Sequence, residues 1–148
     1  MRELPRQLTV DELAELFGGR TRFVEQLAAL EDPLDRARAL LAELPEAEQV
    51  EALNAHPPIG ARNLTGHSAT EQGPDDDPAV LTALAYANEV YEEKFGFRFL
   101  VFVDRRPKSE ILPVLEQRLA RTREQELETA LDELVAIARD RWQRAATA

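Results

Sequence analysis

The sequence predicts an all-α fold, a single compact multi-helix domain over residues 1–148 with one buried extended segment near 97–103. Three observations carry this prediction. Helix-start signals recur along the chain, most of them a Thr, Ser or Asp followed by Glu or Gln three residues on, or directly by proline. Between them, apolar residues return every three or four positions. The single run that looks like a strand, FRFLVFV, has no second run to pair with.

Thr9 and Glu12 form a capping box ahead of DELAELFGG, whose paired glycines close the helix. In TRFVEQLAAL, Phe23, Val24, Leu27 and Leu30 fall at helical spacing. Asp32 is expected to cap a helix with Pro33 at its first position, continuing through DRARALLAEL. Leu44-Pro45 opens a shorter one, EAEQVEALNA. Asp77-Pro78 repeats the cap-plus-proline signal, and PAVLTALAYANEVYEEKFG continues for about four or five turns to Gly96, a terminating glycine.

The run 97–103 is aromatic and β-branched, yet a lone strand cannot satisfy its backbone, so it is expected as a buried extended segment between helices. A helix then starts at Ser109 and contains EILPVLEQRLA, with Pro113 expected in the first turn, where proline is tolerated. Thr122 and Gln125 cap a long final helix running through Arg144. No internal repeat is present, and PDDDP is too short to separate domains.

The chain has no cysteine, which removes disulfide scaffolds, thiolate metal sites and a cysteine nucleophile. Its opening, MRELPRQLTVDEL, lacks the apolar core of a secretion signal, no window resembles a membrane span, and RAATA is not a peroxisomal signal; a soluble cytoplasmic protein is expected. Acidic residues outnumber basic ones 28 to 18, for a net charge of −10, which repels a phosphate backbone and argues against nucleic acid. The arginines at 118, 121 and 123 alternate with Glu116, Glu124 and Glu126 and read as a solvated face of mixed charge. Tyr86, Tyr91 and Trp142 read as core or interface aromatics.

Both histidines lie in one irregular stretch, NAHPPIGARNLTGHSATEQG, residues 54–73. His56 precedes Pro57, which biases it away from helical geometry and places it where the preceding helix ends. Such a histidine either presents its imidazole to a cavity or caps the last carbonyls of the helix. Ser68 and Glu71 are a capping box, and a helix N-terminus is also an anion site, so the two readings coexist. His67 and Glu71 are four apart, but with Ser68 as cap His67 lies before the helix, and two histidines without cysteine make no usual zinc set. No metal is expected. Elbow, Walker and dinucleotide-binding patterns are absent.

Taken together, HPPIG, SATEQG and NEVYEEKFGFRF resemble the OHCU decarboxylase family, and the likeness runs from the first helix to the last. OHCU is 2-oxo-4-hydroxy-4-carboxy-5-ureidoimidazoline, an intermediate of urate breakdown. The resemblance implies conversion of this small ureidoimidazoline to (S)-allantoin and carbon dioxide, without metal or organic cofactor, by an all-α homodimer. Carried over by position, His56 matches the catalytic general acid/base and Pro57 its pocket-lining neighbour. Glu71 matches a second catalytic and substrate-holding group. Ser68, Ala69, Thr70 and Gln72 fall in the substrate-holding stretch, and Phe99, Leu100, Val101, Phe102 and Val103 in a segment whose backbone lines the pocket. Arg141, in IARDRW, falls where the family has a substrate-facing arginine, with Arg139 as the neighbouring alternative. Arg98 stands where the family usually has proline, and GPDDDP replaces the usual glycine-rich continuation after EQ. Two other classes remain: a helical interaction module without enzymatic activity, and a lyase or hydrolase acting on a related ureide.

Overall fold

The computed structural model describes residues 2–57 and 77–145. Among them are seven helices and no strand: α1 Val10–Phe17, α2 Arg22–Leu27, α3 Pro33–Glu43, α4 Glu46–Asn54, α5 Pro78–Phe95, α6 Lys108–Arg118 and α7 Arg123–Ala145. The chain groups into two compact units, Met1–His56 with Leu131–Ala148, and Pro57–Ala130, so α7 contributes residues to both. None of the described helices is long and apolar enough to cross a membrane.

In the first unit, the predicted capping box is formed: Glu12 N–H donates to Thr9 Oγ1 at 3.1 Å and Thr9 N–H to Glu12 Oε1 at 3.0 Å. Gly18 ends α1 in the left-handed region, φ +87°. Thr21 caps α2, which stops at Leu27 rather than Leu30. The remaining residues tighten into shorter-range bonds, Ala29 N–H to Gln26 O and Leu30 N–H to Leu27 O. Asp32 precedes α3 as predicted but makes no side-chain cap. Its own N–H is tied to Arg6 O at 2.8 Å, and its φ of +52°, a conformation Asp tolerates, replaces the extended one a side-chain cap needs. Pro33 at the first position supplies the helical start instead. α2 packs against α1, α3 and α4. Phe17 and Phe23 meet edge to face at 5.0 Å, and Leu13, Leu27, Leu41 and Leu53 of the same unit are fully buried.

In the second unit, α5 buries Leu84, Ala87, Asn88, Tyr91 and Phe95, one stripe at helical spacing, and packs on α6. Asp77 Oδ1 accepts from Ala79 N–H at 2.9 Å, and Gly96 closes the helix at φ +82°. Residues 97–103 then run extended without a strand partner, as expected, with Phe97, Phe99, Leu100, Val101 and Val103 buried. Tyr91 packs between the rings of Phe95 and Phe99, at 4.6 and 5.2 Å. Tyr86, by contrast, is 70% exposed, and Trp142 lies half-buried with Arg2 over its ring.

Arginines take the place of a partner strand. Arg123 Nε donates to Phe95 O at 2.9 Å, Arg118 Nη1 to Leu100 O at 2.8 Å, Arg106 Nη2 to Phe102 O at 2.6 Å and Arg106 Nε to Val103 O at 2.9 Å. Glu116, Arg123 and Glu124 are exposed, as a solvated charged face requires, but Arg118 and Glu126 correct that expectation. Arg118 is 6% exposed and Glu126 0%. The chain breaks between α6 and α7, which lets residues 118, 121 and 126 fold back on one another instead of lining one helix surface. Glu126 Oε1 accepts from Arg118 Nε at 2.7 Å and from the Tyr91 hydroxyl at 2.6 Å, and its Oε2 accepts from Arg121 Nη1 at 2.8 Å. Only such full pairing makes a buried carboxylate tolerable. Pro113 is also displaced from expectation. It lies inside α6, beyond the first turn, on an exposed position where the backbone bond it removes faces water.

Burial and the bond to Glu126 raise the Tyr91 phenol above its ordinary range, so it serves as a donor at any physiological pH. Tyr91→Phe keeps the ring and removes one donor to a buried charge, which should destabilise the protein by about 1.5–3 kcal/mol in urea unfolding. An unchanged midpoint would mean that the arginines alone hold Glu126.

Candidate functional site

α4 ends at Asn54, and the chain passes through Ala55 into His56, whose N–H still reaches back to Leu53 O at 3.4 Å. Pro57 cannot continue a helical bond, so His56 sits at the helix end that the sequence indicated. Its side chain is not at the surface: His56 is 4% exposed. The ring lies against the turn that closes α1. A methyl group placed on Gly18 would stand 3.2 Å from both Cδ2 and Cε1 of the imidazole, and 3.2 Å from Ala55 O. Gly18 therefore does two things that only glycine does well, adopting positive φ and letting a ring approach its backbone.

Arg141 reaches the same helix end from α7. It is 2% exposed, and its Nη1 donates to Leu16 O at 3.1 Å and Glu15 O at 3.3 Å. These are carbonyls of the last turn of α1, where a cation is favoured by both hydrogen bonding and the helix dipole. Arg139 points elsewhere, to Leu34 O and to Asp35 Oδ1 at 3.0 Å. Of the two arginines the sequence left open, Arg141 is the one whose charge acts on His56.

Burial first, and the Arg141 guanidinium second, lower the His56 pKa from 6.5 to about 3. The imidazole is consequently neutral at physiological pH, with one ring nitrogen able to donate and the other able to take a proton. A neutral imidazole and a guanidinium are thus both buried at one helix terminus.

Of the other candidate residues, those that are described belong to the second unit. Pro57 is half-buried. Phe99, Leu100, Val101 and Val103 are buried and Phe102 half-buried, all in the extended segment of the second unit. Ser68, Ala69, Thr70, Glu71 and Gln72 lie outside the described residues, as does His67. An open groove lined by Gln7, Leu8, Thr9, Glu12 and Ala28 sits at the opposite, N-terminal end of α1 and contains none of these residues. Gly18 is the participant that the sequence did not single out as part of a site; the signal was the glycine pair after DELAELF, read only as a helix stop.

Among the described residues the chain is a helical scaffold without strands that holds a buried neutral imidazole and a buried guanidinium at one helix end. The chain belongs to the OHCU decarboxylase family, whose model matches residues 2–143. A relative from Halalkalicoccus jeotgali, named 2-oxo-4-hydroxy-4-carboxy-5-ureidoimidazoline decarboxylase, is 34% identical over 113 residues, covering 72% of this chain and 64% of that protein. The uric acid degradation bifunctional protein PucL of Bacillus subtilis is 26% identical over 152 residues, covering 95% of this chain and 31% of that protein. This chain thus spans less than two thirds of the length of either relative. Among solved structures, an OHCU decarboxylase crystallised in the presence of (S)-allantoin superimposes with a TM-score of 0.77 at 25% identity, over 93% of this chain and 99% of that one.

Gly18→Ala tests the seat of the imidazole. The left-handed backbone alone should cost about 1–2 kcal/mol, and the new methyl group should displace the ring, moving the His56 imidazole resonances in NMR spectra. Unaltered resonances would show that His56 does not rest on this turn.

Proposed function

We propose that this chain decarboxylates 2-oxo-4-hydroxy-4-carboxy-5-ureidoimidazoline to (S)-allantoin and carbon dioxide, as a step of urate breakdown. The proposal includes action without metal or organic cofactor, by a single-domain, soluble, cytoplasmic enzyme that forms a homodimer. One observation supports it above the others: in a chain matched along residues 2–143 by the family, the histidine at the family's catalytic position is buried, neutral and beside Arg141.

The chemistry explains why such a pair suffices. The substrate carries a hydroxyl and a carboxylate on one ring carbon, next to the carbon bearing the ureido group. As the bond to carbon dioxide breaks, its electron pair flows into the adjacent C=N bond, whose nitrogen takes a proton. The hydroxyl then loses its proton to become a carbonyl, and the ureido-bearing carbon gains one. One proton enters overall to replace the departing carbon dioxide. The ring is its own electron sink, so the protein's tasks are orientation and proton transfer to one face.

His56, neutral before substrate arrives, accepts the hydroxyl proton and delivers a proton to the ureido-bearing carbon. Arg141 anchors the carboxylate or a carbonyl oxygen; in a protein of net charge −10 an anionic substrate needs such a local cation. The bound anion also offsets the guanidinium's field at His56, which makes the imidazole more basic once substrate is present. In this proposal Glu71 orients the imidazole, Ser68, Ala69, Thr70, Gln72 and Pro57 hold the ring and ureido group, and the main chain of residues 99–103 contributes further hydrogen bonds.

The test generates the substrate in situ from urate with the upstream enzymes and follows circular dichroism after addition of this protein. Rapid growth of the (S)-allantoin signal is expected, with a fall of about 10²–10⁴-fold for a folded His56→Ala variant. No acceleration by the folded wild-type protein would exclude the activity and leave the interaction module or the related-ureide enzyme. A His56→Ala variant of normal rate would remove His56 from the proton-transfer role.

A further inference from the structure

We propose that Arg118 and Arg106 are positioning residues of the reaction, setting the main chain of residues 99–103 at the height the substrate requires by holding its Leu100, Phe102 and Val103 carbonyls. The inference rests on the functional reading above, in which that main chain contacts substrate. An extended chain has no internal hydrogen bonds, so its position is set by whatever bonds its edges. Here, among the described residues, no strand does so. Arg118 reaches Leu100 O at 2.8 Å from the end of α6, and its guanidinium lies over the Phe99 ring at 4.6 Å. Arg106 reaches Phe102 O at 2.6 Å and Val103 O at 2.9 Å from the loop that follows.

Two details indicate that these contacts serve the segment and not only the charges. The first concerns Arg118. A guanidinium paired solely for stability would close both arms of its fork on the carboxylate. Glu126 instead gives one oxygen to Arg118 and the other to Arg121, while Arg118 Nη1 turns to Leu100 O and Nη2 has no hydrogen-bond partner among the described residues. The side chain forgoes one buried bond to keep both Glu126 and the segment. The second is the turn after the segment. Asp104 and Arg105 both adopt positive φ, +50° and +63°, which Asp tolerates but which is strained for Arg105, and this reversal brings Arg106 back onto Phe102 and Val103.

Two variants separate positioning from bulk stability. Arg118→Lys keeps a cation opposite Glu126 but lacks the planar fork that spans Glu126 and Leu100 O. Arg106→Gln, on a half-buried side chain, leaves the Glu126 cluster intact. Both are assayed with wild type for kcat, KM and the enantiomeric purity of the allantoin, with enzyme in excess over spontaneous decay. Displacement of the segment should lower kcat at least tenfold while KM changes less than about threefold, and product purity should fall, because small misplacements are felt mainly in the reacting geometry. A merely structural role would lower the unfolding midpoint or the active fraction without changing KM or the stereochemical outcome. Wild-type kcat, KM and purity in either folded variant would overturn that residue's part, and in both would overturn the proposal; should Arg118→Lys not fold, Arg106→Gln decides. An inactive wild-type protein would instead sink the functional reading and this inference with it, an outcome distinct from active wild type with unimpaired variants.

Discussion

The Arg141 guanidinium, buried on the last carbonyls of α1, is the constraint on which the first unit's chemistry depends. Its position is favourable in itself, because the end of a helix offers unpaired carbonyls and partial negative charge. Its consequence is felt next door. With one cation fixed below the surface, a second is strongly disfavoured in the same poorly solvated space. Burial does most to keep the adjacent imidazole neutral, and the Arg141 charge adds to it. Three separate pieces of chain meet the end of α1 to achieve this: Gly18 supplies the turn, α4 delivers His56 where Pro57 ends helical bonding, and α7 delivers Arg141.

The second unit uses the same side chain for a different problem. Residues 97–103 are too apolar to leave the core and too extended to satisfy their own backbone. A sheet would answer both needs, but no other strand is present among the described residues. Guanidiniums answer them one carbonyl at a time, each with a planar set of donors, while their apolar faces cover Phe97 and Phe99. The buried Glu126 carboxylate then balances Arg118 and Arg121, and Tyr91 ties that carboxylate to α5. Stability and the shape of the extended edge are in this way linked through one cluster.

Local signals were legible in the sequence and long-range electrostatics were not. Thr9 with Glu12, Thr122 with Gln125, Asp77 before Pro78 and Gly96 all do what their spacing implies, because a cap is decided within four residues. The extended nature of residues 97–103 followed equally from composition and the lack of a partner. Asp32 departs because a tertiary bond to Arg6 fixes its backbone, and Pro113, the sixth residue of α6, is accommodated past the first turn because its position is exposed. Charge alternation around residue 118 resembles any exposed helix, and nothing local announces that the chain reverses there and buries Glu126. The place of His56 was readable from Pro57, whereas its neutrality depends on tertiary burial first and on Arg141, 85 positions away in the sequence, second.

The most direct test of this account is the ionisation of His56 itself, followed by NMR in a His67→Gln protein so that a single imidazole is observed. No titration is expected around 6.5, and the midpoint is expected near 3. Because the folded value lies below the unfolded one, the contribution to stability is complete above pH 6.5 and is lost as pH falls toward 3, by roughly tenfold in the folding equilibrium per pH unit. An imidazole that titrates near 6.5 in the folded protein would contradict the central claim, since a buried ring held beside the Arg141 cation cannot take up a proton so readily.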